Sequence, residues 1–215
     1  MFSPKYKLTD SIVAMLTSIA ESKGIISRAK LLPQNEVKLR RQALIRMTHS
    51  STEIEGNILN LKQVEAIVAR KKVDAPSREI YEVENYLKAL KYIDQIVSKK
   101  QPVTEKILLK VHRLVTDKTL PKDQSGYYRK GPVFVVRRRL GFTDEIVYRG
   151  PAAKDVSCLT RDLIAWLGKS QEQDINPVIV AGILHQEIAT IHPFNDGNGR
   201  TARAMATLIL YERGY

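Results

Sequence analysis

The chain has 215 residues, a formal net charge of +12 at pH 7 and a single cysteine, Cys158. This length suffices for one domain with a buried core, and one cysteine excludes an internal disulfide and a thiolate zinc site, so we expect a reducing cytoplasm. The positive charge is compatible with binding to nucleic acid, with binding to an acidic protein or simply with solubility. Aromatic residues do not alternate with the basic clusters, so nucleic acid is not the expected partner.

Apolar residues recur at helical spacing through the N-terminal half of the chain. Helices are predicted there over residues 12–26, 36–55, 61–68 and 78–98, the third with Asn60 as its cap. No apolar run reaches about 18 residues and no basic-then-apolar leader opens the chain, so we expect neither a membrane span nor secretion.

The C-terminal half continues the helical pattern. Thr104 is predicted to cap one helix, Asp155 to lead a second, and Asn176 with Pro177 to open a third that ends at His192. The sequence contains no GxxxxGK[ST] motif, which excludes ATP binding by an ordinary P-loop.

The segment between Gly131 and Pro151 differs from the rest of the chain. Residues 133–136 and 145–148 are β-branched or aromatic, which predicts a β-hairpin whose loop carries the arginines at 137–139. Two interpretations stay open. The hairpin is either a surface element with a solvated basic tip, or an edge strand that docks the backbone of an acidic protein target.

The most informative segment is residues 192–203, which read HPFNDGNGRTAR. Gly197 and Gly199 allow a tight turn and a close approach of backbone N–H groups to a ligand. A helical run follows from residue 201, so the loop opens onto a helix N-terminus, which favours phosphate. Arg200 and Arg203 are three positions apart and are expected on one helix face, aimed at the same ligand.

Two further side chains of this segment carry chemistry. The imidazole of His192 has an ordinary pKa near neutrality and can take a proton from a hydroxyl group. Asp196 offers the oxygen ligand that Mg²⁺ prefers, usually beside phosphate and water. The simpler alternative is that His192 caps a helix, that Asp196 forms an ordinary turn, and that the arginines are a solvated helix face.

The segment resembles, position for position, the signature HPFx[D/E]GNGRxxR of the Fic family, whose enzymes typically transfer AMP from ATP to a protein hydroxyl. The resemblance implies an all-α, Fic-type helical bundle with a small β-hairpin flap, divided into an N-terminal helical region at 1–103 and a Fic core at 104–215. It implies His192 as the catalytic base and Asp196 as the Mg²⁺ ligand. The implied ATP phosphate binders are Gly197, Asn198, Gly199, Arg200 and Arg203.

A second motif lies upstream, where residues 51–56 match the inhibitory pattern [S/T]xxxE[G/N] of Fic proteins that carry their own inhibitory helix. The match implies that Glu55 reaches Arg203 in place of the terminal phosphate of ATP. Ser51 and Glu55 are four positions apart and are expected on one helix face, with Gly56 ending the helix. The alternative is an ordinary helix end whose glutamate faces water.

The resemblance therefore implies an autoinhibited protein adenylyltransferase that uses ATP and Mg²⁺ and modifies a Ser, Thr or Tyr hydroxyl of a target protein and of itself. Gly199 favours AMP transfer, because a phosphate-transferring branch of the family carries lysine at that position. Two alternatives stay open: a hydrolase that removes AMP with the help of Glu55, and a non-enzymatic basic regulatory module. The intact His192 counts against the module.

The resemblance has one main departure, at the end of the chain. Fic chains generally continue past a segment like 213–215 with a further helix that helps to hold the purine. We therefore expect either a fragment of a longer protein or a short member, and leave a homo-oligomer open.

Overall fold

The computed structural model describes residues 2–137, 145–170 and 173–215. The described residues form eight helices and one two-stranded sheet, which confirms the predicted all-α class with a small hairpin. None of these helices is long and apolar enough to cross a membrane. In chain order the elements are α1 (Asp10–Arg28), α2 (Pro33–Glu53), α3 (Leu61–Val68), α4 (Ser77–Ser98), α5 (Glu105–Val115), β1 (Phe134–Arg137), β2 (Glu145–Arg149), α6 (Ala153–Ser170), α7 (Pro177–Ile191) and α8 (Asn198–Glu212).

Short polar side chains begin three of the helices where the sequence predicts them. Asn60 accepts from the backbone N–H of Gln63 and receives a reciprocal bond, which forms a capping box at α3. Thr104 caps α5 and Asn176 caps α7, each by a single bond in which its side-chain oxygen accepts from a backbone N–H of the first turn. These caps satisfy N–H groups that have no acceptor inside their helix, so the helix starts are fixed locally.

Helix α4 belongs to two hydrophobic clusters. The larger cluster joins α4 to α5, α6, α7 and α8, with Phe194 and Met205 completely buried in it. The smaller cluster joins α4 to α2 and α3 through side chains that include Ile45, Val64 and Val83. Because α4 contributes to both, the N-terminal helices are packed directly on the larger core. The division at residue 103 stays a prediction.

Beside the two motifs, the helix boundaries differ from the sequence-based expectation. Helix α2 ends at Glu53, so Glu55 lies in the following turn, where Gly56 adopts a φ of +92°. Helix α8 begins at Asn198 rather than near residue 201, because Gly197 is its cap at a φ of +76°. The arginine at 200 therefore lies inside the first turn of the helix.

The flap is the antiparallel hairpin of β1 and β2, in which Phe134 lies opposite Arg149. The Tyr148 hydroxyl donates to the carbonyl of Thr190 at 2.5 Å, which attaches the flap to α7. The predicted basic loop falls largely on residues 138–144, which lie outside the described residues.

Candidate active site

The loop between α7 and α8 is shaped by Gly197. A Cβ atom at this position would lie 2.7 Å from Cγ2 of Thr116, and its φ of +76° is one that other residues rarely adopt. The Asp196 carboxylate accepts from the N–H of Gly197 at 2.6 Å. The first-turn N–H groups of α8 have no acceptor inside the helix, so this end of α8 is suited to an anion.

Two hydrogen bonds between Phe194 and Asn198 stabilise the loop. The side-chain amide of Asn198 accepts from the Phe194 N–H and donates to the Phe194 carbonyl, both at 2.9 Å. The Phe194 ring stacks on the imidazole of His112, with ring centroids 3.6 Å apart. Both ends of the Asn198 amide bond to Phe194, so the side chain shapes the loop, and its role in phosphate binding stays a prediction.

His112 on α5 supports the loop from below. The N–H of Gly126 donates to Nδ1 at 2.9 Å, so the proton of the neutral ring lies on Nε2, which donates to the Asp196 carbonyl at 3.0 Å. Burial lowers the pKa of His112 to about 4. The sequence analysis found no role for this histidine, because its partners lie far along the chain.

His192 ends α7 in a left-handed conformation with a φ of +50°. Its Nδ1 lies 3.3 Å from the carbonyl of Ala189, an acceptor only, so Nδ1 carries the proton and the lone pair lies on Nε2. Burial lowers the pKa of this half-buried ring below its ordinary value. His192 is therefore neutral at pH 7 and can accept a proton at Nε2.

Arg200 lies in a buried charge network rather than beside Arg203. Its side chain is 2% exposed, with Nη1 3.3 Å from the Glu82 carboxylate and Nη2 3.6 Å from the Asp196 carboxylate. Arg78 bridges the same two acids from the exposed side, at 3.2 Å from Glu82 and 3.4 Å from Asp196. Arg200 and Arg203 were expected to point at the same ligand, but they have different partners, because the buried Glu82 attracts Arg200 inward. No local pattern in the sequence marks Glu82 or Arg78 as part of the site.

Arg203 joins the two motifs that the sequence analysis identified. Its Nε donates to the Ser51 hydroxyl at 2.8 Å, and its Nη2 donates to the Ser51 carbonyl at 2.8 Å and to the Glu55 carboxylate at 2.7 Å. A Cβ atom placed on Gly199 would collide with that carboxylate, so Glu55 lies directly against the first turn of α8. The acid thus occupies the end of α8 that is suited to an anion.

A divalent cation fits at Asp196 only with help from a substrate. The carboxylate is 39% exposed and lies at the phosphate-suited end of α8. Among the described residues, no group of three His, Cys, Asp or Glu side chains could hold a metal ion. Mg²⁺ commonly takes one or two carboxylates together with phosphate and water, so a single acid beside an anion site agrees with its needs.

His185 is half-buried and lines a cleft of about 380 Å³ between α2, α7 and α8, whose other walls include Met47, Ile54 and Leu210. Burial lowers its pKa, in agreement with a packed neutral ring.

The comparisons with known proteins agree with this geometry. The model of the Fic/DOC family matches residues 102–210. The protein adenylyltransferase Fic of Drosophila melanogaster is 30% identical over 208 residues, covering 96% of this chain and 38% of that protein. The Nematostella vectensis protein of the same name is 30% identical over 219 residues, covering 99% of this chain and 47% of that protein. The chain thus spans less than half the length of these curated relatives.

A solved structure shows the same fold. The crystal structure of a Fic family protein from Desulfovibrio desulfuricans G20 superposes with a TM-score of 0.80 at 32% identity, covering 99% of this chain and 61% of that chain. The family model matches just over half of the chain and ends beyond Arg203, so it includes the whole segment of residues 192–203. On this evidence the chain belongs to the Fic/DOC family.

Proposed function

We propose that this chain is a nucleotidyltransferase that transfers AMP from ATP to a hydroxyl of a target protein and of itself. The observation that carries the proposal is the position of a neutral His192, with the lone pair on Nε2, next to a helix N-terminus suited to phosphate. The name protein adenylyltransferase, which the curated relatives share, supports the same reaction.

The proposed step is an in-line displacement at the α-phosphorus of ATP. Nε2 of His192 takes the hydroxyl proton, the target oxygen forms a bond to the α-phosphorus, and the bond to the departing pyrophosphate breaks. The N–H groups at the start of α8 and the guanidinium of Arg203 offset the phosphate charge. Arg200 contributes further positive charge from the buried side of the loop, since its buried Nε has no acceptor among the described residues.

Asp196 would hold Mg²⁺ together with the phosphates of ATP. When bound, the ion supplies positive charge that offsets the charge of the phosphates. The position of Asp196 is fixed before any ion binds, because His112 bonds to its backbone carbonyl and the N–H of Gly197 bonds to its carboxylate.

We further propose that Glu55 inhibits the reaction. The carboxylate binds Arg203 and covers Gly199, so it competes for a cation and for N–H groups that phosphates need. Ser51 strengthens this competition by binding the same guanidinium through its hydroxyl and its carbonyl. A hydrogen bond between charged groups contributes on the order of 1.5–3 kcal/mol, so the loss of Glu55 is expected to raise activity roughly tenfold or more.

The free and exposed Cys158 suits a reducing compartment, so we place the reaction in the cytoplasm. The flap is the proposed docking surface for the target backbone, because no third strand pairs with β1 or β2 in the part of the chain that the structure describes.

The test is incubation of the purified chain with Mg²⁺ and ATP labelled in the α-phosphate, scoring label on the protein. We expect weak labelling of the wild type and at least about tenfold more for Glu55→Gly. Glu53→Gln, two positions away with an exposed carboxylate, is the matched control and stays at the wild-type rate.

Two other outcomes would contradict the proposal. Release of AMP from pre-labelled protein by the wild type, lost in Glu55→Gly, would assign the chain as a hydrolase that uses Glu55. Nucleotide binding without labelling or release in every variant would assign it as a non-enzymatic module.

A further inference from the structure

Arg129 connects the flap to the backbone of the catalytic base. Its side chain is 3% exposed, and its guanidinium donates to four carbonyl groups. Two of these end α7: Nε bonds to His192 at 2.7 Å and Nη2 to Ile191 at 3.3 Å. The other two lie at the ends of the flap: Nη1 bonds to Gly131 at 2.8 Å and Nη2 to Pro151 at 2.7 Å.

The backbone around Arg129 fits this arrangement closely. Its own N–H donates to the Pro193 carbonyl at 2.9 Å, which adds a fifth bond to the loop after α7. A Cβ atom on Gly150 would lie 2.6 Å from Cγ1 of Val133 and 3.3 Å from Nη2 of Arg129. A residue larger than glycine at 150 would therefore displace the end of the flap from the guanidinium.

The bonds serve carbonyls that the helix leaves unsatisfied. The last carbonyls of a helix have no N–H partner inside it, and a left-handed residue such as His192 adds strain at that point. A planar guanidinium can bond several carbonyls at fixed angles, whereas the ammonium of lysine is a single point of charge. The position therefore requires arginine, and a conservative change to lysine would loosen both segments.

We propose that Arg129 is a positioning residue that locks both ends of the flap to the backbone of His192, so that a target bound on the flap meets Nε2 at a fixed offset. The inference rests on the proposed function, since it assigns the flap to target docking and His192 to proton transfer. Misplacement of reacting groups by about 1 Å can cost on the order of a hundredfold in rate. Loss of Arg129 should therefore reduce transfer rather than nucleotide binding.

The kinetic test compares Arg129→Lys and Arg129→Met in the activated Glu55→Gly background. We expect AMP transfer to fall roughly tenfold to a hundredfold, while the Kd of Mg²⁺-ATP stays within about twofold of the background value. Arg161→Lys on α6, an exposed arginine, is the matched control and keeps the background rate. A folded Arg129→Lys variant with an undiminished rate would overturn the proposal.

A second measurement separates positioning from mere stability. Burial lowers the pKa of His192, and the charge of Arg129 lowers it further. The imidazole signal of His192, assigned by its loss in His192→Ala, should therefore titrate at higher pH in Arg129→Met. In Arg129→Lys the titration midpoint should stay closer to that of the wild type, while the signal itself shifts. Unchanged His192 signals in both folded variants would contradict the inference.

A third measurement is made on the wild-type protein, so it does not depend on the folding of a variant. The Nε–H of Arg129 in the wild type is bonded and buried, so its NMR signal should exchange with solvent far more slowly than those of exposed arginines. Exchange as fast as theirs would overturn the bond to His192. If no variant transfers AMP, the proposed function fails, while the His192 and Arg129 signals still test the positioning role.

Discussion

The carboxylate of Glu55 lies 2.7 Å from Nη2 of Arg203, although 148 positions separate the two residues in the chain. The contact joins the turn after α2 to the first part of α8, and the side chains of Glu55 and Arg203 are 30% and 21% exposed. A charged pair in this setting is screened less by solvent than one on an open surface. The pair is therefore suited to hold Glu55 against the first turn of α8, where the proposed phosphate site lies.

The first prediction is that Glu55 and Arg203 act as a coupled pair. Glu55→Gln, which keeps the length of the side chain but loses its charge, should raise self-labelling, and Arg203→Ala should lower it. In the double variant the gain should disappear, since the proposed inhibition acts through Arg203. Labelled AMP incorporation in the four proteins, at saturating Mg²⁺-ATP, measures the coupling. Equal gains from Glu55→Gln with and without Arg203 would contradict it.

The second prediction concerns the base. His192→Ala should leave ATP binding nearly unchanged but reduce AMP transfer by a factor on the order of 10²–10⁴, because the imidazole acts on the attacking hydroxyl. Calorimetry with Mg²⁺-ATP and a labelling assay on the same preparation check both parts. Transfer at the wild-type rate would remove His192 from the mechanism.

The third prediction is that Asp196→Ala weakens Mg²⁺-dependent nucleotide binding and turnover together. The ion offsets phosphate charge before and during the reaction, so the loss appears in both measurements. Titration with ATP in the presence and absence of Mg²⁺ isolates the contribution of the ion. A variant whose ATP affinity responds to Mg²⁺ as the wild type does would disprove this ligand.

The fourth prediction tests the buried network beneath the loop. Glu82→Gln leaves the charge of Arg200 without its buried partner and should cost about 3–5 kcal/mol of unfolding free energy. Arg78→Gln removes a cation that is 60% exposed and should cost no more than about 1 kcal/mol. Urea denaturation compares the two variants. Equal small losses would show that Glu82 does not hold the network together.

The fifth prediction is a dependence of stability on pH that arises from His112. Its pKa falls from 6.5 to about 4 in the folded protein, so the unfolded chain binds the proton first as the pH falls. Stability is therefore lost between pH 6.5 and about pH 4, by about 3 kcal/mol from this group. Thermal unfolding across this window should show a weaker pH dependence for His112→Gln than for the wild type. Parallel curves would contradict the assignment.

Much of the fold follows from local patterns in the sequence. The helix starts at Asn60, Thr104 and Asn176 are fixed by side chains that bond within their own first turn, so the sequence shows them directly. The helix boundaries at the two motifs were predicted less accurately. The end of α2 and the start of α8 depend on backbone turns at Gly56 and Gly197, where a change of φ sets the boundary.

The sequence by itself showed which residues make up the candidate loop, because residues 192–203 are contiguous and carry the family signature together. It also pointed to the partnership of Glu55 with Arg203 through the family motif. The roles of His112, Glu82 and Arg129 were decided only by the tertiary structure. Each bonds to residues at least 62 positions away, through the packing of separate segments against α7 and α8, and no local spacing records such contacts.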